Sequence, residues 1–136
     1  MADAVGGSSG LTRAASEASA DVIIVCGVDF MAEMAAVLNP DKNVLSPVRN
    51  AVCPLAQQLS REALNEAKKE NPGAEVPLYM NSLANTIALA DCVCTAANAL
   101  RIAEMMSGDS PLIFGPDHCV SYYGLNKLVL EHFNNL

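Results

Sequence analysis

"ADVIIVCGVDFMAEMAAVLNPDKNVLSP", residues 20–47, is the stretch on which the reading of the fold turns. It opens with "DVIIVCGV" (21–28), a continuous β-branched apolar run closed by Gly27, the signature of a strand buried on both faces. "FMAEMAAVL" then repeats Phe30, Met31, Met34, Val37 and Leu38 at helical spacing, and "NPDKN" stops it. "VLSP" follows as a short second strand. Strand, helix, strand in this order predicts a parallel sheet covered by helices.

The same order returns in "ADCVCTAANALRIAEMMSGDSPLIFGP", residues 90–116. Both stretches run from Ala-Asp through a strand, a Met-rich helix and a Pro or Gly stop to a strand ending in Pro. Two ordinary βαβ units can share that much by chance, but a duplicated unit explains it more simply. Between the copies, "SREALNEAKKENPG" starts at Ser60, a good N-cap, and ends at Asn71, Pro72 and Gly73. "VPLYMNS" is the next strand, and "LNKLVLEHF" is a closing helix. The expected architecture is α/β, three-layer α/β/α with short parallel sheets built from repeated βαβ units.

Composition sets the outer bounds. The 136 residues suit one domain or slightly more, and a globule of this size buries roughly 65 to 70% of its unfolded surface. Although 51% of residues are hydrophobic, no apolar run approaches the roughly 20 residues of a bilayer span. The start, "MADAVGGSSG", lacks the basic flank and apolar centre of a secretory signal. These features predict a soluble, cytoplasmic protein with no membrane partner. The net charge of −7 argues against nucleic acid, which requires a basic face. Five cysteines in a reducing compartment read as core residues or metal ligands rather than disulfides.

In a parallel α/β sheet, ligands sit beyond the carboxyl ends of the strands. The residues expected there are Asp29, 47–53, Asn81 and Ser82, 95–98 and 117–119. Cys26 and Cys92 are expected inside strands, as small hydrophobes. Taken locally, Cys53 in "NAVCPLAQQ" (50–58) is either an inert loop cysteine or a ligand. "GGSSG" is either a flexible leader or a phosphate site at a helix start, where free N–H groups converge. Tyr79 and Asn81 are either packed at a strand end or aimed at a substrate.

Taken together and in order, "VCGVDFMAEMAAVLNPDKNVL", "AVCPLA", "YMNS", "ADCVCTAANA" and "IFGPD" strongly resemble the quinolinate synthase family over about residues 5–123. The resemblance implies three similar α/β domains around a pseudo-threefold axis, each giving one cysteine to a [4Fe-4S] cluster. The fourth iron of such a cluster acts as a Lewis acid in condensing iminoaspartate with dihydroxyacetone phosphate to quinolinate, a transferase step of NAD biosynthesis. Cys53 matches the first of the three metal ligands. Ser8 matches a substrate-binding serine, and Tyr79, Met80 and Asn81 match a Tyr-x-Asn that contacts substrate. In that motif Tyr79 and Asn81 are the catalytic candidates, and Met80 offers only backbone. Thr95 and Ala96 fall in a substrate-binding Thr-Ser-x-Asn-Ala segment, of which Asn98 is also kept.

The departures from the family pattern are specific. Gly7 and Val48 stand where the family has Asp, and Asn85 and Ile87 replace a Glu and a Lys. Ala96 replaces a serine expected to hold a carboxylate, removing a hydrogen bond worth about 1.5 to 3 kcal/mol. His118 and Cys119 replace a basic and Asn pair, and could join Cys53 in a zinc or degraded-cluster site. His132 reads as a surface residue. On this alignment residues 1–57 are the end of the first domain, 58–136 are the second, and the third unit is absent with two of the three cluster cysteines. The expected alternative to catalysis is a non-catalytic dicarboxylate- or phosphate-binding module. An assembly in which other copies, or a chain supplying the missing domain, provide cysteines in trans is also expected.

Overall fold

The computed structural model describes residues 2–106, 108 and 110–116. The chain divides into two compact units, Met1–Cys53 and Pro54–Leu136. In order along the described residues come α1 (Ser8–Glu17), β1 (Val22–Ile24), α2 (Asp29–Leu38), β2 (Asn43–Leu45), α3 (Arg61–Glu70), β3 (Pro77–Tyr79), α4 (Ala84–Ile87), β4 (Cys92–Cys94) and α5 (Ala99–Met106). β1 pairs with β2 and β3 with β4, both in parallel. This is the α/β class with short parallel sheets that the sequence predicts. The expected closing helix and the edge residues 117–119 lie outside the described residues.

In the first unit, Ile23 pairs with Val44 and Ile24 with Leu45, and the Val25 N–H makes a last rung to the Leu45 carbonyl at 2.9 Å. Ser46 and Pro47 follow, and proline has no N–H with which to continue the ladder. β1 is therefore shorter than the expected 21–28, and Cys26 is exposed beyond its end rather than inside it. α2 buries Phe30 and Ala35, whereas Val37 and Leu38 of its expected apolar face stay exposed. "GGSSG" is the start of a helix, with Gly7 as N-cap of α1 and Thr12 buried. The Lys42 ammonium closes the other end of α1, donating to the carbonyls of Ala15 at 3.0 Å and Ala18 at 2.7 Å. A cation there meets the carbonyls that a helix C-terminus leaves unpaired.

The second unit has a helix on each face of its sheet. Leu64 and Ala67 of α3 pack with Val76, Leu78 and Ile113 on one face. Ala99 and Ala103 of α5 pack with Cys94 and Phe114 on the other. The alternation of Leu78 with Tyr79, and of Ile113 with Phe114, follows from the period of two in extended chain. α3 starts as expected: the Ser60 hydroxyl accepts from the Ala63 N–H at 3.1 Å. It ends at Asn71, and Gly73 takes φ +83° in the turn that follows.

"PLIFGP" runs beside β3 but forms two separate bridges, Glu75 with Leu112 and Leu78 with Gly115, rather than a continuous strand. The Glu75 and Tyr79 N–H groups donate to Pro111 and Gly115 on that side, so the alternation assigns the same side to residue 77. Residue 77 is proline, and the rung is missing there. The repeat thus keeps its element order and changes its pairing: β2 lies beside β1, whereas 112–115 lies beside β3 and not β4. Gly115 fits closely between side chains: a Cβ there would fall 2.6 Å from Leu59 Cδ2 and 3.2 Å from Leu78 Cδ2, so the leucines would have to shift to admit one.

Candidate functional site

The carboxyl edge of the second sheet is set by register. Tyr79 pairs with Cys94, and the Met80 N–H donates to the Cys94 carbonyl at 2.9 Å. Met80 and Asn81 therefore leave β3 at the level where Thr95 and Ala96 leave β4. Tyr79 is half-buried against the cluster of Cys94, Ala99, Ala103 and Phe114, and Met80 is buried. Behind them the fully buried Ser82 hydroxyl donates to the Tyr79 carbonyl at 2.9 Å, which fixes the turn. Asn81 is half-buried and Ala96 exposed.

Thr95 is engaged locally. Its N–H and its hydroxyl both donate to Asn98 Oδ1, at 2.7 and 2.9 Å. Because Oδ1 is turned toward Thr95, the Asn98 amide presents its NH₂ away from it, and the Thr95 oxygen keeps its lone pairs as acceptors. With Ala96 carrying no hydroxyl, the donors at this strand end are the Asn98 amide and backbone N–H groups. Asn85, at a position where the family pattern has an acid, is exposed on α4. That helix was not expected, since one turn shows no hydrophobic period. Its Thr86 is fully buried, with the hydroxyl 3.2 Å from the Leu59 carbonyl.

In the first unit, Ser8 is half-buried at the first residue of α1, and its carbonyl accepts the Thr12 hydroxyl at 2.8 Å. Cys53 is a free, half-buried thiol at the end of the loop that follows β2. Its backbone is anchored: the Cys53 N–H donates to Asp29 Oδ1 at 3.0 Å, and the Asp29 N–H donates to the Ala51 carbonyl at 2.8 Å. Asp29 was legible as an edge residue, but a partner 24 residues away leaves no local signal.

The thiols differ in what they offer a metal. Burial, and secondarily Cys92, pushes the Cys94 thiol up to about 11, so it stays protonated in the core at neutral pH. Cys92 is half-buried on the same strand, and Cys26 is exposed. Among the described residues no group of three or more His, Cys, Asp or Glu is placed to hold a metal ion. Cys53, a free and half-buried thiol whose backbone N–H is tied to Asp29, is the described cysteine that would suit one thiolate position of an iron–sulfur cluster, which is normally held by three or four cysteines. Neither His118 nor Cys119 is among the described residues.

Comparison with known proteins agrees along nearly the whole chain. The profile of the quinolinate synthetase A protein family matches residues 1–133. The chain is 49% identical over 123 residues to a quinolinate synthase of Pyrococcus abyssi, covering 90% of this chain and 41% of the relative. It is 50% identical over 103 residues to one of Methanothermobacter thermautotrophicus, covering 76% and 34%. With one of Thermotoga petrophila it shares 44% over 127 residues, covering 93% and 42%. The chain thus spans about two-fifths or less of the length of these curated relatives.

Proposed function

Because the chain belongs to the quinolinate synthetase A family, we propose that it serves the quinolinate synthase reaction, the condensation of iminoaspartate with dihydroxyacetone phosphate. The formulae balance with quinolinate, inorganic phosphate and two waters as products. What supports the reading beyond kinship is the β3–β4 register, which brings Tyr79-Met80-Asn81 and Thr95-Ala96 out of one sheet edge together.

At that edge Asn81 supplies an amide able to donate to a substrate carboxylate, and Tyr79 a phenol that can hold or pass a proton at an oxygen or nitrogen of the bound carbon chain. Met80 offers only backbone at this edge, and its N–H is already spent on Cys94. Thr95, having given its proton to Asn98, accepts rather than donates. Ala96 leaves the carboxylate with one hydrogen bond fewer. Ser8, at the start of α1, is the group proposed for the phosphate end of the substrate, beside N–H groups that favour an anion. Cys53 is the residue that would hold a [4Fe-4S] cluster from this chain, with other thiolates supplied by further copies or by a chain carrying the rest of the fold. When bound, the cluster supplies a Lewis-acidic iron. The reading sets this chemistry in the cytoplasm, where thiols stay reduced; no helix among the described residues is long and apolar enough to cross a membrane.

The edge is tested by titrating the isotope-labelled chain with quinolinate while following backbone amides. Saturable shifts at 80–82 and 95–98, lost in Asn81→Ala, are expected. Unshifted amides at millimolar quinolinate would remove the second sheet edge from the proposed site.

A further inference from the structure

We propose that Asp29 is the positioning residue for Cys53: its carboxylate fixes the backbone from which the thiol projects. The inference rests on Cys53 being a metal-binding thiolate. Asp29 is the first residue of α2 and sits directly beyond β1. Its Oδ1 accepts from its neighbour's amide, Phe30 N, at 2.9 Å and from Cys53 N at 3.0 Å. Its own N–H reaches the Ala51 carbonyl at 2.8 Å. The loop is therefore gripped at both ends of the Ala51-Val52-Cys53 tripeptide by one residue, which leaves this segment little freedom to swing. The grip is itself anchored, since Phe30 is buried and a carboxylate in the first turn of a helix is favoured by the exposed N–H groups there.

The chemistry explains why an acid is useful at this place. Metal ligands bind well only when held near their bound geometry before the metal arrives, and hydrogen bonds from neighbouring groups do that holding. Loop 46–53 has few ties of its own: Ser46 Oγ to the Val48 carbonyl at 3.3 Å, Ala51 N–H to the same carbonyl at 3.4 Å, and Val52 N–H to Asn50 at 3.0 Å. These are local turns, and the bonds from Asp29 alone among those described join the cysteine to the strand–helix framework.

Hydrogen exchange of single amides in the full chain tests it, comparing Asp29→Ala and Asp29→Asn with the wild type. The Cys53 amide is expected to exchange roughly tenfold faster or more in Asp29→Ala, as befits loss of a bond to a charged acceptor. Asn keeps the side-chain oxygen, so Asp29→Asn should restore most of the protection. Alkylation of Cys53, followed on its own peptide, should change rate in the Ala variant and return toward wild type in the Asn variant. Unchanged exchange at Cys53 in Asp29→Ala would overturn the inference. Faster exchange that spreads equally to the Asn43 and Val25 amides would overturn it too, because Asp29 would then be holding the unit and not the cysteine. The ligand role is read separately, from iron bound by wild type and by Cys53→Ser, so failure of that reading and failure of the tie give different results.

Discussion

The two units share a parallel strand pair and differ in what covers it. In the second unit both faces carry a helix, and Leu64, Val76 and Leu78 are wholly withdrawn from solvent. In the first, Ile24 is 64% exposed and Leu45 52%, and among its described residues Phe30 and Ala35 are the buried apolar ones. Its order comes instead from polar ties: Lys42 on the end of α1, Asn39 Nδ2 on the Ala35 carbonyl at 2.8 Å, and Asp29 on the cysteine loop. The contrast separates two tasks. Burial makes the second unit a scaffold that fixes a polar edge by register, while the first holds a thiol in place by hydrogen bonds.

The largest effect expected from this contrast is a pair of substitutions. Leu64→Ala, in the filled core, should cost about 2 to 5 kcal/mol in chemical denaturation. Ile24→Ser, on the bare strand, should stay within about 0.5 kcal/mol. Equal losses would break the comparison and show the first sheet to be covered in solution.

A second expectation concerns pH. The Cys94 thiol is pushed from an ordinary 9.0 to about 11 in the folded chain, so the folded state holds that proton while the unfolded state gives it up. Stability from this source is complete below pH 9 and falls as pH rises toward 11. Denaturation followed across that window should show the decline, and Cys94→Ala should flatten it. Smaller still, Ser60→Ala removes the cap of α3 and should cost about 1 kcal/mol, read from the same denaturation curves. A much larger loss would mean that α3 depends on its cap more than on Leu64 and Ala67.

Much of this was legible beforehand. The β-branched runs, the Ser60 cap and the Asn-Pro-Gly stop placed most of the elements, and the carboxyl-edge rule placed Asn81 and Thr95 together, with Tyr79 added by the family resemblance. The misses have physical causes. β1 is cut short by a proline just past its partner strand, the ladder beside β3 is interrupted by Pro77, and α4 is too brief to show a period. Sequence spacing could not show that Thr95 spends its hydroxyl on Asn98, nor that Asp29 and Cys53 meet across 24 residues. Both depend on how loops close, which composition does not encode locally.

The claim at the centre of the account is that Cys53 is an iron ligand of a quinolinate synthase-type cluster. It is tested most directly by measuring iron and acid-labile sulfide per chain after anaerobic reconstitution, in wild type and in Cys53→Ser. The account predicts iron and sulfide in matching amounts in the wild type, both lost in the variant. Iron near zero in both, or equal in both, would contradict it.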